Sequence, residues 1–262
     1  LSGHFRSHGL ECMVTVFADD NQRLQIMQNS SIADICEMFS IEDDDRLRKY
    51  SLTKNFRNTI ETANFAKYFQ VKDHDTPQRL PSRKGPVPSI YFLDSTDTIV
   101  KFILRVVTNF SGKQYGIIVD GSKADVNKFY KEISQSKETK NLIVQAYISG
   151  WNNFNDQKLD FSVANSITIL NKQSAKGTEF DYVFYVGLEK SSFDDSEGIN
   201  EKMSLYVMSS RPREGLYILF NNVSLDSSYI DILKIFPNFD SNLCNYIGFG
   251  TLKGKEKQIL QV

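Results

Sequence analysis

Apolar residues in this chain gather into short runs separated by polar or amphipathic stretches. "MVTVF" (13–17), "SIYFL" (89–93), "YGIIVD" (115–120), "LIVQAYI" (142–148), "SITIL" (166–170), "YVFYVGL" (182–188) and "LYILF" (216–220) are rich in β-branched and aromatic residues, and each predicts a strand. Several lack polar alternation, the pattern of strands buried on both faces. Between them the period changes. "SSIADICEMF" (30–39) opens on a Ser cap and puts Ile32, Ile35, Cys36 and Phe39 on one helical face. "TIETANFAKYF" (59–69), "TDTIVKFILRVVTNF" (96–110) and "KADVNKFYKEIS" (123–134) follow the same rule, and "LYVM" (205–208) reads as the last turns of a buried helix. Strands alternating with helices predict an α/β fold, a parallel sheet with helices on both faces.

The polar stretches 70–88 and 191–202 read as loops, the first with four of the six prolines and the look of a linker. The acidic run Glu42-Asp43-Asp44-Asp45 predicts a boundary, with one folding unit over 1–45 and another over 46–262. A net charge of −1 gives no global basic field, so a protein that coats nucleic acid is disfavoured while a local basic groove is not. No run approaches the ~18 consecutive apolar residues of a membrane span, and no membrane partner is expected. Three cysteines, Cys12, Cys36 and Cys244, form no C-x-x-C pair, which fits a reduced, cytoplasmic compartment. The polar start on Leu rather than Met suggests a fragment of a longer protein.

Four segments carry candidate chemistry. "VTVFADDNQRL" (14–24) is an apolar strand ending in two acids and an Asn-Gln pair. It reads as a Walker B strand whose acid holds Mg²⁺, as a strand tip presenting the Gln22 amide to a phosphate, or as a strand closed by an Asx turn. In "LTKNFRNTIETANFA" (52–66), Arg57 precedes a Thr-capped helix start, where a guanidinium could fork onto a phosphate or simply be solvated. "KQSAKGTEFDYVFYVGLE" (172–189) sets a charged, small-residue turn directly before a buried strand. Gly177 lets the backbone pass close to a ligand, Lys176 and Glu179 can reach a phosphate and a hydroxyl, and the plain alternative is a Gly turn with a solvated ion pair. "LYVMSSRPREGLYILF" (205–220) places Arg211 and Arg213 between helix and strand, stiffened by Pro212.

In this order the four pieces resemble motifs III, IV, V and VI of superfamily 1 helicases of the UvrD/Rep type. "VFADDNQ" resembles motif III and "LTKNFRNT" motif IV with its N-[FY]-R core. "QSAKGTEFDYVFYVGL" is similar to the motif V pattern H-S-x-K-G-L-E-F-D-x-V, with Gln173 for His and Thr178 for Leu. "LYVMSSRPREGLYI" resembles motif VI, L-Y-V-x-x-[ST]-R-A-[RK]-x-x-L. The resemblance implies a RecA-like second helicase domain over 46–262, preceded by a remnant of the first, ATP-binding RecA-like domain over 1–45. It implies that Gln22 senses the γ-phosphate, and that Arg57 and Arg211 reach phosphates across a cleft, Arg211 as arginine finger. Glu179, Gly177 and Arg213 would face the nucleotide, and Lys176 and Ser174 the DNA. The implied partners are single-stranded DNA and the chain's own N-terminal RecA-like domain; the implied cofactors are ATP and Mg²⁺, held mainly by that domain. No G-x-x-x-x-G-K-[ST] occurs, "FSGKQYG" (110–116) lacking its first Gly and its Ser/Thr, so the chain alone is expected to be inactive. The absence of aromatic residues after motif III and the altered Gln173 support a different reading, a non-catalytic docking module binding protein or nucleic acid. His4, His8 and Cys12 recur at a spacing of four without a fourth ligand nearby, and no metal site is expected. His74 reads as solvated and Trp151 as a loop anchor.

Overall fold

The computed structural model describes residues 14–24, 29–72, 78–148, 159–191, 197–222 and 232–248. His4, His8, Cys12, His74 and Trp151 lie outside them. The helices are α1 (Ile32–Met38), α2 (Ile60–Tyr68), α3 (Thr96–Asn109), α4 (Lys123–Ser134) and α5 (Ile199–Ser209). The strands are β1 (Ser89–Leu93), β2 (Gln114–Val119), β3 (Ile143–Tyr147), β4 (Ser166–Asn171), β5 (Phe180–Val186), β6 (Pro212–Asn221) and β7 (Asn245–Ile247). They form one seven-stranded sheet in the order β3-β4-β2-β5-β6-β1-β7, and every pairing is parallel. This is the α/β class that the apolar runs predict.

The uninterrupted apolar runs are explained by two cores, one on each face of the sheet. Ile117, Val119, Ile167, Ile169, Phe184, Val186 and Leu219 pack against α3 and α4. Their alternate neighbours Ile118, Val183, Tyr185, Ile218 and Phe220 pack against α2 and α5. Each such side chain removed from water contributes about 1.5–3 kcal/mol, which is why β2 and β5 can dispense with polar positions. The helices begin where the caps place them. Thr59 accepts the Thr62 N–H, Ser95 that of Thr98, and Ser31 and Ser122 close reciprocal boxes with Asp34 and Asp125.

Three expectations change, and one strand is new. Residues 14–17 form no strand; Phe17 is 82% exposed, and no described strand pairs with this segment to supply ladder hydrogen bonds. The loop expected over 191–202 ends early, because α5 starts at Ile199 behind Gly198, whose φ of 62° opens the helix without a side-chain cap. β6 starts at Pro212 rather than 216, since Phe180 pairs with Pro212 beyond the apolar run. β7, only three residues long, pairs with β1 at an edge and carries too little pattern to read. The half-buried face of α1 is Ile32, Ile35, Cys36 and Phe39, as the spacing predicts.

One connection departs from the usual parallel crossover. β4 and β5 both run alongside β2, so the chain must return from the carboxyl end of one to the amino end of the other. Only eight residues, 172–179, separate Asn171 from Phe180, where such a return commonly takes a dozen or more and a helix. Turns closed by Ser174 and Ala175 on the Asn171 carbonyl start it, and Ala175 is fully buried against the α2/α5 core. Gly177, at φ 87°, redirects the backbone with nothing within 4 Å of where a Cβ would stand.

Candidate functional site

The short return delivers Glu179 to the amino end of β5, beside the start of β6. The Phe180 N–H donates to the Arg211 carbonyl at 3.2 Å, which places the helix-to-strand corner of Arg211 and Pro212 against the same edge. The segment 53–58 joins them before α2. Asn58, buried, donates from Nδ2 to the carbonyls of Pro212 at 2.6 Å and Ser210 at 3.2 Å, and its Oδ1 accepts from Asn55. The 19–23 turn closes the group. Asn21, buried, accepts the backbone N–H groups of Val71 and Lys72 and donates to the Lys72 carbonyl.

Five sequence-predicted residues thereby meet. Arg211 is 2% exposed. Its Nε donates to the Val207 carbonyl at 2.8 Å, and its two terminal nitrogens donate to the Thr178 carbonyl at 3.3 Å, the Gln22 Oε1 at 3.3 Å and the Ser210 hydroxyl at 2.9 Å. Burial, then the positive charge of Arg57, pushes its pKa down to about 10, so the guanidinium stays charged at neutral pH. Gln22 is held in turn by Asp19, whose Oδ2 accepts from its Nε2 at 2.9 Å and from the Tyr206 hydroxyl at 3.4 Å. Arg57 donates from Nε to Glu179 Oε2 at 2.7 Å and from Nη1 to the Ser210 carbonyl at 3.4 Å. Arg213 donates to Glu179 Oε1 at 3.2 Å, to Asp181 Oδ1 at 3.0 Å and to Gln114 Oε1. The hydrogen bond from Arg57, against the cost of partial burial, holds the Glu179 carboxyl below the usual glutamate range.

Gln22, Arg57, Glu179, Arg211 and Arg213 are thus one cluster built from four segments. Lys176 and Gly177 stand exposed on the return segment beside it, and Ser174 lies half-buried at its start. The residues that sequence reading passes over are structural: Asn58, Asn21, Asp181 and Arg83, whose Nη2 donates to the carbonyls of both Arg57 and Arg213. "FRNT" and "EFDY" contain two of them, but nothing local marks a residue whose partners lie 152 and 154 positions away.

Chemically the cluster offers guanidinium groups to an anion, one half-exposed and one buried, with a carboxylate and an amide between them. Among the described residues no group of three or more His, Cys, Asp or Glu side chains is placed to hold a metal ion. No described helix is long and apolar enough to cross a membrane.

No protein-family model matches the chain. It is 23% identical over 186 residues to DNA helicase II of Rickettsia typhi (strain ATCC VR-144 / Wilmington), which covers 66% of this chain and 28% of that protein. The chain thus spans under a third of the length of this curated relative. Among solved structures, the C-terminal domain of a possible DNA helicase from Lactobacillus plantarum WCFS1 matches 73% of this chain and 98% of its own, at 17% identity and a TM-score of 0.48. The Pyrococcus furiosus Hef helicase domain matches 74% of this chain at 8% identity and a TM-score of 0.38. The C-terminal domain of the DEAD-box protein Dbp5 matches 67% at 12% identity and a TM-score of 0.39. By sequence, part of this chain is similar to part of a helicase.

Proposed function

We propose that this chain is the C-terminal part of an ATP-dependent superfamily 1 DNA helicase or translocase, which couples ATP hydrolysis to movement on single-stranded DNA. In this reading 46–262 form the second RecA-like domain and 1–45 the end of the first. The observation that carries it is the meeting of Gln22, Arg57, Glu179 and Arg211, from four distant segments, at one sheet edge. A fold needs no such convergence of guanidinium groups; a site facing phosphate does.

Arg211 is the arginine finger in this reading. Its guanidinium is oriented by the Val207 and Thr178 carbonyls, so no side-chain ordering is required when charge develops on the transferred group. Gln22 couples the finger to the preceding domain, and Arg57 supplies the second cation. Lys176 and Ser174 face the DNA strand. The bound Mg²⁺–ATP supplies the transferable phosphoryl group, and the P-loop and metal ligands belong to a part of the parent other than this sequence. The parent works in the cytoplasm.

The test is ATP hydrolysis by the full-length parent with and without single-stranded DNA, wild type beside Arg211→Ala. DNA-stimulated hydrolysis is expected in the wild type. In the variant kcat is expected to fall about a thousandfold, with ATP still bound. A parent without hydrolysis, or a variant with unchanged kcat, rejects the motor and leaves the docking-module reading.

A further inference from the structure

Glu179 is shared by two arginines whose other holdings differ. Arg213 is fixed on three sides, by Glu179, Asp181 and Gln114, and Asp181 is itself anchored by the Gln114 N–H at 2.9 Å. Its side chain is 29% exposed and that of Asp181 17%. Arg57 is the open partner, 36% exposed, with one ionic contact among the described residues and a long bond to the Ser210 carbonyl. Glu179 therefore leans on a rigid support through Oε1 and reaches outward through Oε2.

We propose that Glu179 is a resident counter-ion that occupies Arg57 until a phosphate takes its place, while Arg213 retains the displaced carboxylate at the edge of β5. The inference rests on the phosphate-facing reading of the cluster. A guanidinium presents the same planar fork to a carboxylate and to a phosphate, so a carboxylate oxygen 2.7 Å from Nε competes for the donors an anionic ligand would use. An ion pair this exposed is weak, which lets a multiply charged phosphate exchange with it. Because Glu179 keeps its bond to Arg213, the exchange moves one side chain and leaves the support in place. In the absence of ligand the site then has its open cation already paired, and it selects for anions with more charge than one carboxylate.

The experiment is a titration of the chain with inorganic pyrophosphate, followed through the arginine Nε–H resonances by NMR. Wild type, Glu179→Gln and Asp181→Asn are compared. The two substitutions remove the same charge from the same cluster, but only Glu179 touches Arg57. The Arg57 resonance is expected to move in the wild type, and Glu179→Gln is expected to tighten pyrophosphate about two- to fivefold, the range an exposed pair spans. Asp181→Asn is expected to tighten it less. If pyrophosphate moves Arg57 but Glu179→Gln gains no more than Asp181→Asn, the counter-ion role is overturned and the phosphate site stands. If no arginine resonance responds in any of the three, the phosphate-facing reading itself fails and takes this inference with it. Dispersion of the same spectra reports whether each variant is folded.

Discussion

Asn58, itself buried, donates to two carbonyls of the corner that carries Arg211 and accepts from Asn55. Asn58→Ala takes the side-chain donor from the Pro212 carbonyl and leaves that of Ser210 the long Arg57 bond, and a buried group left without its partner costs about 1–3 kcal/mol. A loss of about 2 kcal/mol is therefore expected in the urea unfolding free energy. Asn58→Asp should lose more, since it turns a carboxylate onto carbonyl oxygens. A midpoint unchanged in both variants would contradict the tie between these segments. At this scale the sequence exposes chemistry better than support. Arg57, Glu179 and Arg211 stand out because their types and order form a pattern, whereas Asn58 and Asp181 acquire meaning only from partners brought in by the fold.

Among the elements, glycines at positive φ separate a permissive turn from an obligatory one. Gly187 follows β5 at φ 89°, and a Cβ there would stand 2.5 Å from the Asp120 carbonyl oxygen. Gly177 has a similar φ of 87° and open space around it. Gly177→Ala is expected to cost about 1–2 kcal/mol, the conformational penalty alone. Gly187→Ala adds a backbone collision and should exceed it by ~1 kcal/mol or more. Thermal denaturation of both variants checks the ranking, and equal losses would refute it. Element type is legible wherever one face or both faces meet a core. The β2, β4 and β5 runs are read correctly for that reason, and the caps of α1 and α2 fall within the segments read as helices, whereas Ser95 and Ser122 lie one residue before theirs. Helix α5 is buried over most of its circumference and starts on an uncapped glycine, so neither period nor cap announces Ile199. The 13–17 run fails in the opposite direction, an apolar stretch without a neighbouring strand among the described residues.

For the molecule as a whole, two neighbouring carboxyl groups at the carboxyl ends of the strands respond to pH in opposite directions. Burial raises the Glu189 carboxyl above its ordinary 4.5, a group at the carboxyl end of β5 that accepts a long bond from the Asn221 N–H at 3.4 Å. A raised carboxyl favours folding while protonated, so this contribution is complete below 4.5 and is lost as pH rises through the folded value. Asp125 behaves inversely. Burial raises it, but the hydrogen bonds from Lys190 and Ser122 outweigh that and bring it down to about 2. Its contribution is complete above 3.8 and is lost as pH falls toward 2. Glu189→Gln should therefore raise the melting temperature at pH 8 and leave it nearly unchanged at pH 4, in differential scanning calorimetry of the chain. An equal shift at both pH values would exclude titration as the cause.

The return from β4 to β5 has a mechanical side. Six residues of strand span about 20 Å, and eight residues with a turn in them have little length to spare over that distance. The segment is a short strap, pinned midway by the buried Ala175. A pull on Lys176 acts four residues before the start of β5. Its load passes to Phe180, and from there, through one hydrogen bond of 3.2 Å, to the backbone of Arg211.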